Sequence, residues 1–144
     1  MNTTPPTGNL AAATFEITTF GTLHQDPPPG DALTVDLTTA LRNPPEDPTV
    51  RDQMINSTGL AQFVLDYVLA TPGAREIVER TVRRALAQHT ALPGETVRIH
   101  VYCRGGRHRS VSVGRQTGRL LQELGATVTV MHRHVHLPVQ ESTR

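Results

Sequence analysis

The chain has 144 residues, 37% hydrophobic and 3% aromatic, with no Trp, which suits one domain whose core relies on Val, Leu, Ile and Ala. A net charge of +1 gives no global case for a nucleic-acid or membrane surface, and no run of ~18 or more apolar residues offers a membrane span. A single Cys excludes an internal disulfide and fits a reducing compartment. The N-terminus lacks a basic and then apolar leader, so a cytoplasmic protein is expected. The charge is unevenly placed: residues 1–94 hold 6 Arg and 10 Asp or Glu, and residues 95–144 hold 8 Arg and 3 Glu. So basic a C-terminal third fits either an anionic ligand or partner, or a plain solvated surface. All 14 basic residues are Arg, whose planar fork of donors fits phosphate in a bidentate way.

Residues 1–13, rich in Thr, Pro and Ala, read as a disordered segment and residues 138–144 as a flexible tail, leaving a domain over 14–137. Residues 14–20 alternate Phe15, Ile17 and Thr19 with Glu16, Thr18 and Phe20, a strand that Gly21 ends. Three consecutive Pro and then Gly-Asp make residues 25–31 a loop, and residues 32–37 read as a second strand. The Pro- and Asp-rich stretch 42–57 reads as a long connection, of a length that often carries function. Ser57 or Thr58 then caps a helix to residue 69, with Leu60, Phe63, Val64, Tyr67 and Val68 on one face. Thr71 as N-cap and Pro72 at the first helical position open a helix over 72–88. Its buried face is Ala74, Ile77, Val78, Thr81, Val82, Ala85 and Leu86, and its charged residues read as a solvated face. After a break at residues 92–95, residues 96–103 form a strand with Val97, Ile99 and Val101 on one face. Residues 104–107 fit neither strand nor helix, residues 110–124 are helical with Gly125 as C-cap, and residues 126–132 form a last strand. Strand, loop, helix, strand is a βαβ unit with parallel pairing. The predicted fold class is therefore a single α/β domain with a mixed or mostly parallel sheet and helices packed on its faces.

In such sheets ligands collect at the C-terminal ends of the strands, and Cys103-Arg104-Gly105-Gly106-Arg107-His108-Arg109-Ser110 occupies that place. Gly105 and Gly106 let backbone amides approach a ligand closely and form a concave anion nest. The following helix directs its free N–H groups and positive dipole end at the same spot. Arg104, Arg107 and Arg109 surround it, His108 is a further donor, and Ser110 caps the helix or donates to the ligand. The sequence thus predicts a phosphate-binding loop. The plain alternative is a helix start with arginines displayed to water.

The same loop resembles that of the C-terminal domain of the RNase adapter protein RapZ family and related bacterial nucleotide-binding proteins. The family pattern C-T-G-G-K-H-R-S-V is matched here by C-R-G-G-R-H-R-S-V over residues 103–111. In order along the chain, Phe20-Gly21 resembles an S-F-G opening and Asp36 stands at the start of a D-V-R segment. Asn43-Pro44 with Asp47-Pro48 resembles N-P-x-x-D-P, Thr58-Gly59-Leu60 resembles T-G-L, and His132-Arg133 resembles a late H-R pair. The likeness spans roughly residues 15–136. It implies a domain that senses a phosphorylated amino sugar, glucosamine-6-phosphate, and contacts small RNA. It also implies that Asp36, Asn43, Thr58, Gly59, His132 and Arg133 add ligand contacts to the loop. The family's kinase-like ATPase domain has no counterpart here, because the chain carries no G-x-x-x-x-G-K-[ST] and no Lys. Other departures are Thr38 or Thr39 for the Arg of D-V-R, Arg104 for Thr, Arg107 for Lys, and Pro45 and Glu46 for a His-Trp pair.

Residues 103–110 also satisfy C-x-x-G-x-x-R-S, the loop of Cys-dependent phosphatases. In that alternative Cys103 is the nucleophile, Arg109 the clamp, and Asp36 or Asp47 the general acid. His132, His134 and His136 alternate and would share one face of a strand, but no carboxylate supports them as a zinc site, so no metal is expected. No cofactor is expected either. A phosphorylated small molecule is the expected partner; RNA and a second copy of the chain stay open, and an RNA adapter without a small ligand is the third functional alternative.

Overall fold

The computed structural model describes residues 10–138. Four parallel strands form one sheet in the order β2–β3–β1–β4, with β1 at Thr14–Gly21, β2 at Leu33–Asp36, β3 at Val97–Cys103 and β4 at Thr127–His132. The predicted α/β class is met, and the sheet is parallel throughout. In β1 the buried residues Phe15, Ile17 and Thr19 alternate with exposed Glu16 and half-buried Thr14 and Thr18, as a central strand with unlike faces requires. Phe15 pairs with Val97 and Ile17 with Ile99, so the apolar rows of neighbouring strands coincide.

Helices α1 (Pro48–Ile55), α2 (Gln62–Ala70) and α3 (Ala74–Ala91) lie between β2 and β3, and α4 (Arg109–Glu123) lies between β3 and β4. The core joins Phe15, Ile17, Val35, Val97, Ile99 and Val101 of the sheet to Val64 and Val68 of α2, Val78 and Val82 of α3, and Val113 and Leu121 of α4. Helix α4 sits closest to the sheet because it has no side chain where it crosses. A Cβ on Gly114 would lie 2.5 Å from Thr19 Cγ2, and one on Gly118 2.9 Å from Val130 Cγ2. Its C-terminus closes as a Schellman motif, Gly125 N–H to Gln122 O at 2.9 Å and Ala126 N–H to Leu121 O at 3.2 Å, with Gly125 at φ 100°.

Several boundaries differ from expectation for identifiable reasons. Asp47-Pro48, read above as part of a connection, starts α1: the Asp47 carboxylate accepts from Thr49 N–H at 2.8 Å and Pro48 takes the first helical position. Helix α2 begins only at Gln62, because the Thr58 hydroxyl closes a local turn onto Leu60 N–H at 3.1 Å. It buries Val64, Leu65 and Val68, while Leu60 and Phe63, placed above on the buried face, are 43% and 45% exposed. Helix α3 is capped by Gly73 at φ 93° and not by Thr71, whose hydroxyl instead donates to Tyr67 O at 3.2 Å. Leu10 and Ala13, grouped above with the disordered segment, are buried, and Ala13 O accepts from Thr127 N–H at 2.9 Å. Residues 1–9 and 139–144 of the two expected mobile ends lie outside the described residues. Among the described residues no helix is long and apolar enough to cross a membrane.

Candidate functional site

The loop after β3 is built around two glycines that touch. A Cβ on Gly106 (φ 75°) would lie 2.6 Å from Gly21 N, and one on Gly21 would lie 2.4 Å from Gly105 C. Only bare backbone allows the end of β1 and the turn after β3 to pass at this distance. The contact is tied further by Leu23 N–H to Arg104 O at 2.9 Å. Gly21 N–H in turn donates to the buried His134 Nδ1 at 2.9 Å. Gly105 differs from both: a Cβ there meets nothing within 4 Å.

The loop curls around Cys103, which is 3% exposed. Gly106 N–H donates to its Sγ at 3.3 Å, and Sγ lies 3.1 Å from Ser110 Oγ. Ser110 is therefore not the helix cap. Helix α4 starts one residue earlier with His108 as N-cap and no capping side chain. Its first N–H groups accordingly have no intrahelical acceptor and face the loop.

The charged side chains are held by main-chain oxygens. Arg107 Nη1 donates to Leu137 O at 2.8 Å, and Nη2 to Ile55 O and Ser57 O at 3.2 Å each. His108 Nε2 donates to Met54 O and Ser57 O, and burial lowers its pKa. Arg109 Nη1 donates to Leu37 O and Ala40 O, and burial lowers its pKa as well. Three side chains expected around the anion thus first bind the end of α1 and the chain after β2 to the loop. Sequence reasoning treats Arg as a ligand donor, but unsatisfied carbonyls at helix ends and turns compete for the same N–H groups.

The other expected contacts divide. Asp36 pairs in register with Tyr102, which places it beside the loop. Its carboxylate accepts from Thr38 Oγ1 at 2.6 Å and Thr38 N–H at 2.8 Å, and these bonds lower its pKa. Gly59 N–H donates to Arg107 O at 2.6 Å, which brings Thr58 and Gly59 to the loop. Gly59 must itself be bare, since a Cβ would lie 2.8 Å from Ser112 Oγ. Asn43 lines a cavity of 380 Å³ together with His108 and Arg109. Arg42 and Arg51 line it too; neither was expected, although the long connection carrying them was read as of a length that often carries function.

His132 and Arg133 are committed elsewhere. His132 Nδ1 lies 2.8 Å from Thr19 Oγ1, and Arg133 binds Asp26 O at 2.8 Å and Asp26 Oδ1 at 2.9 Å. The strand ends at His132, so His134 and His136 do not continue its face. His134 turns inward, 2% exposed, with its ring 4.3 Å from that of His24. Among the described residues no group of three or more His, Cys, Asp or Glu is arranged to hold a metal ion.

Neither carboxylate proposed for phosphatase chemistry is set up as a general acid. Asp47 caps α1, and the Thr38 bonds hold Asp36 below the usual carboxylate range, whereas a leaving-group donor needs a raised pKa.

These features define a parallel α/β domain with a glycine-rich strand-to-helix turn at the C-terminal edge of its sheet. Residues 13–136 match the RapZ C-terminal domain, and the chain belongs to that family. It is 36% identical over 104 residues to a nucleotide-binding protein of Sphingopyxis alaskensis, covering 70% of this chain and 32% of that protein. It is 36% identical over 99 residues to one of Bifidobacterium longum, covering 67% and 29%. A nucleotide-binding protein of Parafrankia sp. is 40% identical over 79 residues, covering 53% and 27%. The chain thus spans less than a third of the length of these curated relatives.

Proposed function

We propose that the chain recognises a phosphorylated small molecule, a nucleotide or a phosphosugar, at the loop of residues 103–110, and that it senses this ligand without turning it over. The observation that carries the reading is Gly105. Gly21, Gly59 and Gly106 are each explained by a neighbouring atom closer than 3 Å, but the bare Cα of Gly105 has no such neighbour. An anion seated against the loop amides and the first turn of α4 supplies the missing reason. In this reading the amides of residues 105 and 107–110 and the Arg104 and Arg109 guanidinium groups hold the phosphate, while the Gly106 amide stays on Cys103 Sγ and Arg107 and His108 position the loop. Asp36 and Thr58 face the remainder of the ligand. That neither Asp36 nor Asp47 is set up as an acid favours binding over phosphoryl transfer.

The test is calorimetric titration of the full chain with inorganic phosphate, AMP and glucosamine-6-phosphate. Saturable binding of a phosphorylated compound, lost for its unphosphorylated counterpart, is the expected result. Absence of binding by all three refutes the reading.

A further inference from the structure

His134 lies outside the loop of residues 103–110, yet its ring is bonded to the strand end against which that loop packs. Arg133 N–H donates to Thr19 O at 2.9 Å, so the chain leaving β4 is tied to β1 and carries the His134 ring inward. The ring is 2% exposed, with the Phe20 ring at 6.5 Å and the His24 ring at 4.3 Å between centroids. Its Nδ1 accepts from Gly21 N–H at 2.9 Å. A backbone N–H can only donate, so this bond assigns the proton of the neutral ring to Nε2. Gly21 is also where β1 touches the loop. A Cβ on Gly106 would lie 2.6 Å from this same Gly21 N, and one on Gly21 would lie 2.6 Å from Gly105 O. The Gly21 amide thus joins His134 directly to the glycine pair.

The other ring nitrogen, Nε2, is buried with no hydrogen-bond partner among the described residues. Asp26 Oδ2 stands 3.6 Å from it, too far for a hydrogen bond, while Arg133 Nη2 holds Asp26 Oδ1 at 2.9 Å. The titratable and charged groups facing the ring are His24 from the short helical turn Thr22–His24, Asp26 from the connection beyond it, and Arg133 from its own segment. Burial favours the neutral ring, the His24 and Arg133 charges act in the same direction, and Asp26 opposes them. A second proton on the ring has to go to Nδ1. The imidazolium then turns an N–H toward Gly21 N–H, and two buried donors cannot bond. The cation has an acceptor within a short movement of Nε2, the Asp26 carboxylate. His134 therefore has two partners, Gly21 when neutral and Asp26 when charged. Because Asp26 offsets the added charge, the lost Gly21 bond and not the new cation decides what the loop experiences.

We propose that His134 is a positioning residue of the phosphate loop, and that its neutral form is the one that holds the loop in the shape that binds an anion. Binding and protonation then oppose each other: bound phosphate expels the His134 proton, and a protonated His134 weakens phosphate binding by the same factor. A purely electrostatic effect has the reverse sign, because a cation near the site favours an anion. The proposal rests on the phosphate reading of residues 103–110 and adds a proton-operated control to it.

The test uses inorganic phosphate, the full chain and His134→Asn, whose side-chain oxygen can accept from Gly21 N–H but takes up no proton. Affinities of both proteins are measured calorimetrically from about pH 8 to pH 5.5. The titration of phosphate itself is common to the two, so the ratio of their affinities, parent over variant, reports His134 alone. That ratio is expected to fall about five- to ten-fold between pH 7.5 and pH 5.5, as loss of one buried hydrogen bond implies. NMR follows the His134 ring of the parent chain over the same range, and its pKa is expected to be lower with phosphate bound than without. A ratio that stays constant or rises toward low pH, or a ring pKa that phosphate leaves unchanged or raises, overturns the proposal and leaves the phosphate loop standing. The ring titration decides alone if His134→Asn does not fold. If phosphate fails to bind the parent chain at any pH, the loop reading fails and this proposal fails with it.

Discussion

Gly105 and Gly106 are neighbours in the chain but are constrained differently, and substituting each by Ala separates ligand recognition from folding. At Gly106 the new Cβ would lie 2.6 Å from Gly21 N and 2.9 Å from Phe20 C, at φ 75°. The left-handed backbone costs ~1–2 kcal/mol for a residue with a Cβ. Forcing apart two stretches of main chain adds about 1–3 kcal/mol, as overpacking does elsewhere. Gly106→Ala is therefore expected to lose about 2–5 kcal/mol, or roughly 6–20 °C in Tm for a domain of this size. At Gly105 the Cβ meets nothing within 4 Å. Gly105→Ala should keep its stability or gain ~0.4–1 kcal/mol by restricting the unfolded chain. Its methyl group would stand where the anion must approach. Loss of one charge-assisted hydrogen bond, ~1.5–3 kcal/mol, predicts an affinity for inorganic phosphate weaker by about 10- to 150-fold. Thermal unfolding and calorimetric titration on the two variants measure both quantities. Gly105→Ala that binds phosphate like the parent chain refutes close approach at this loop. Gly105→Ala that unfolds as early as Gly106→Ala refutes the claim that its surroundings are open.

Three further outcomes are expected. Gly114→Ala should destabilise the chain by about 1–3 kcal/mol in urea unfolding, although Ala is normally better than Gly inside a helix by ~1 kcal/mol, because its Cβ would lie 2.5 Å from Cγ2 of the fully buried Thr19; equal or greater stability would contradict the packing described for α4. Arg107→Ala should lose about 2–3 kcal/mol by freeing the carbonyls of Ile55, Ser57 and Leu137, and Arg107→Lys should recover less than half of it, since one ammonium cannot span that fork. His100, His108, His132 and His134 all have pKa values lowered chiefly by burial. Their neutral forms are favoured in the folded chain, so the unfolded chain takes up protons first. The stability they contribute is complete above the ordinary His pKa of ~6.5 and is lost as pH falls below it toward the folded values. Tm should therefore fall between pH 7.5 and pH 5. His134→Asn, which keeps an acceptor for Gly21 N–H but cannot take the proton, should reduce that fall; an unchanged fall would show that His134 does not contribute to it.

The strands and the two long helices were legible because their signals are local. Alternation in β1, the Gly125 terminus of α4 and the glycine pair after β3 each depend on a few adjacent residues. Helix α1 was legible in principle, since Asp47 followed by Pro48 is a cap and first-position pair, but the density of Pro around it outweighed the signal. The buried face of α2 was misplaced because shifting its start to Gln62 moves Leu60 out of the helix altogether. The cavity was legible only in part, through the motif residues Asn43, His108 and Arg109. It joins residues 41–45 to residues 54, 67–71 and 108–109, and no local pattern relates them. The bare Gly59 was found as a motif residue, but its cause, Ser112 and Val111 of α4 packed against it, lies more than 50 positions away.

The arginines set the limit of what composition says about function. Arg51, Arg84, Arg107, Arg109, Arg115 and Arg133 each donate to at least one main-chain carbonyl, among them Pro45 O, Thr34 O, Gly59 O and Asp26 O. At least six of the described Arg are thus used to tie connections together where no sheet or helix satisfies the oxygen. A neutral donor would satisfy a carbonyl as well, so this use explains the hydrogen bonds but not the charge. Arg133 is balanced by Asp26, whereas Arg42, Arg51, Arg107 and Arg109 have no carboxylate in ion-pair range among the described residues. These four gather where α1, α4 and the glycine loop meet, but Arg75, Arg80, Arg83 and Arg84 of α3 and Arg115 of α4 likewise have no carboxylate in ion-pair range among the described residues. Scaffolding accounts for those hydrogen bonds and not for the remaining arginines; on the phosphate reading proposed above, an anion would offset the charge that Arg42, Arg51, Arg107 and Arg109 bring to one junction.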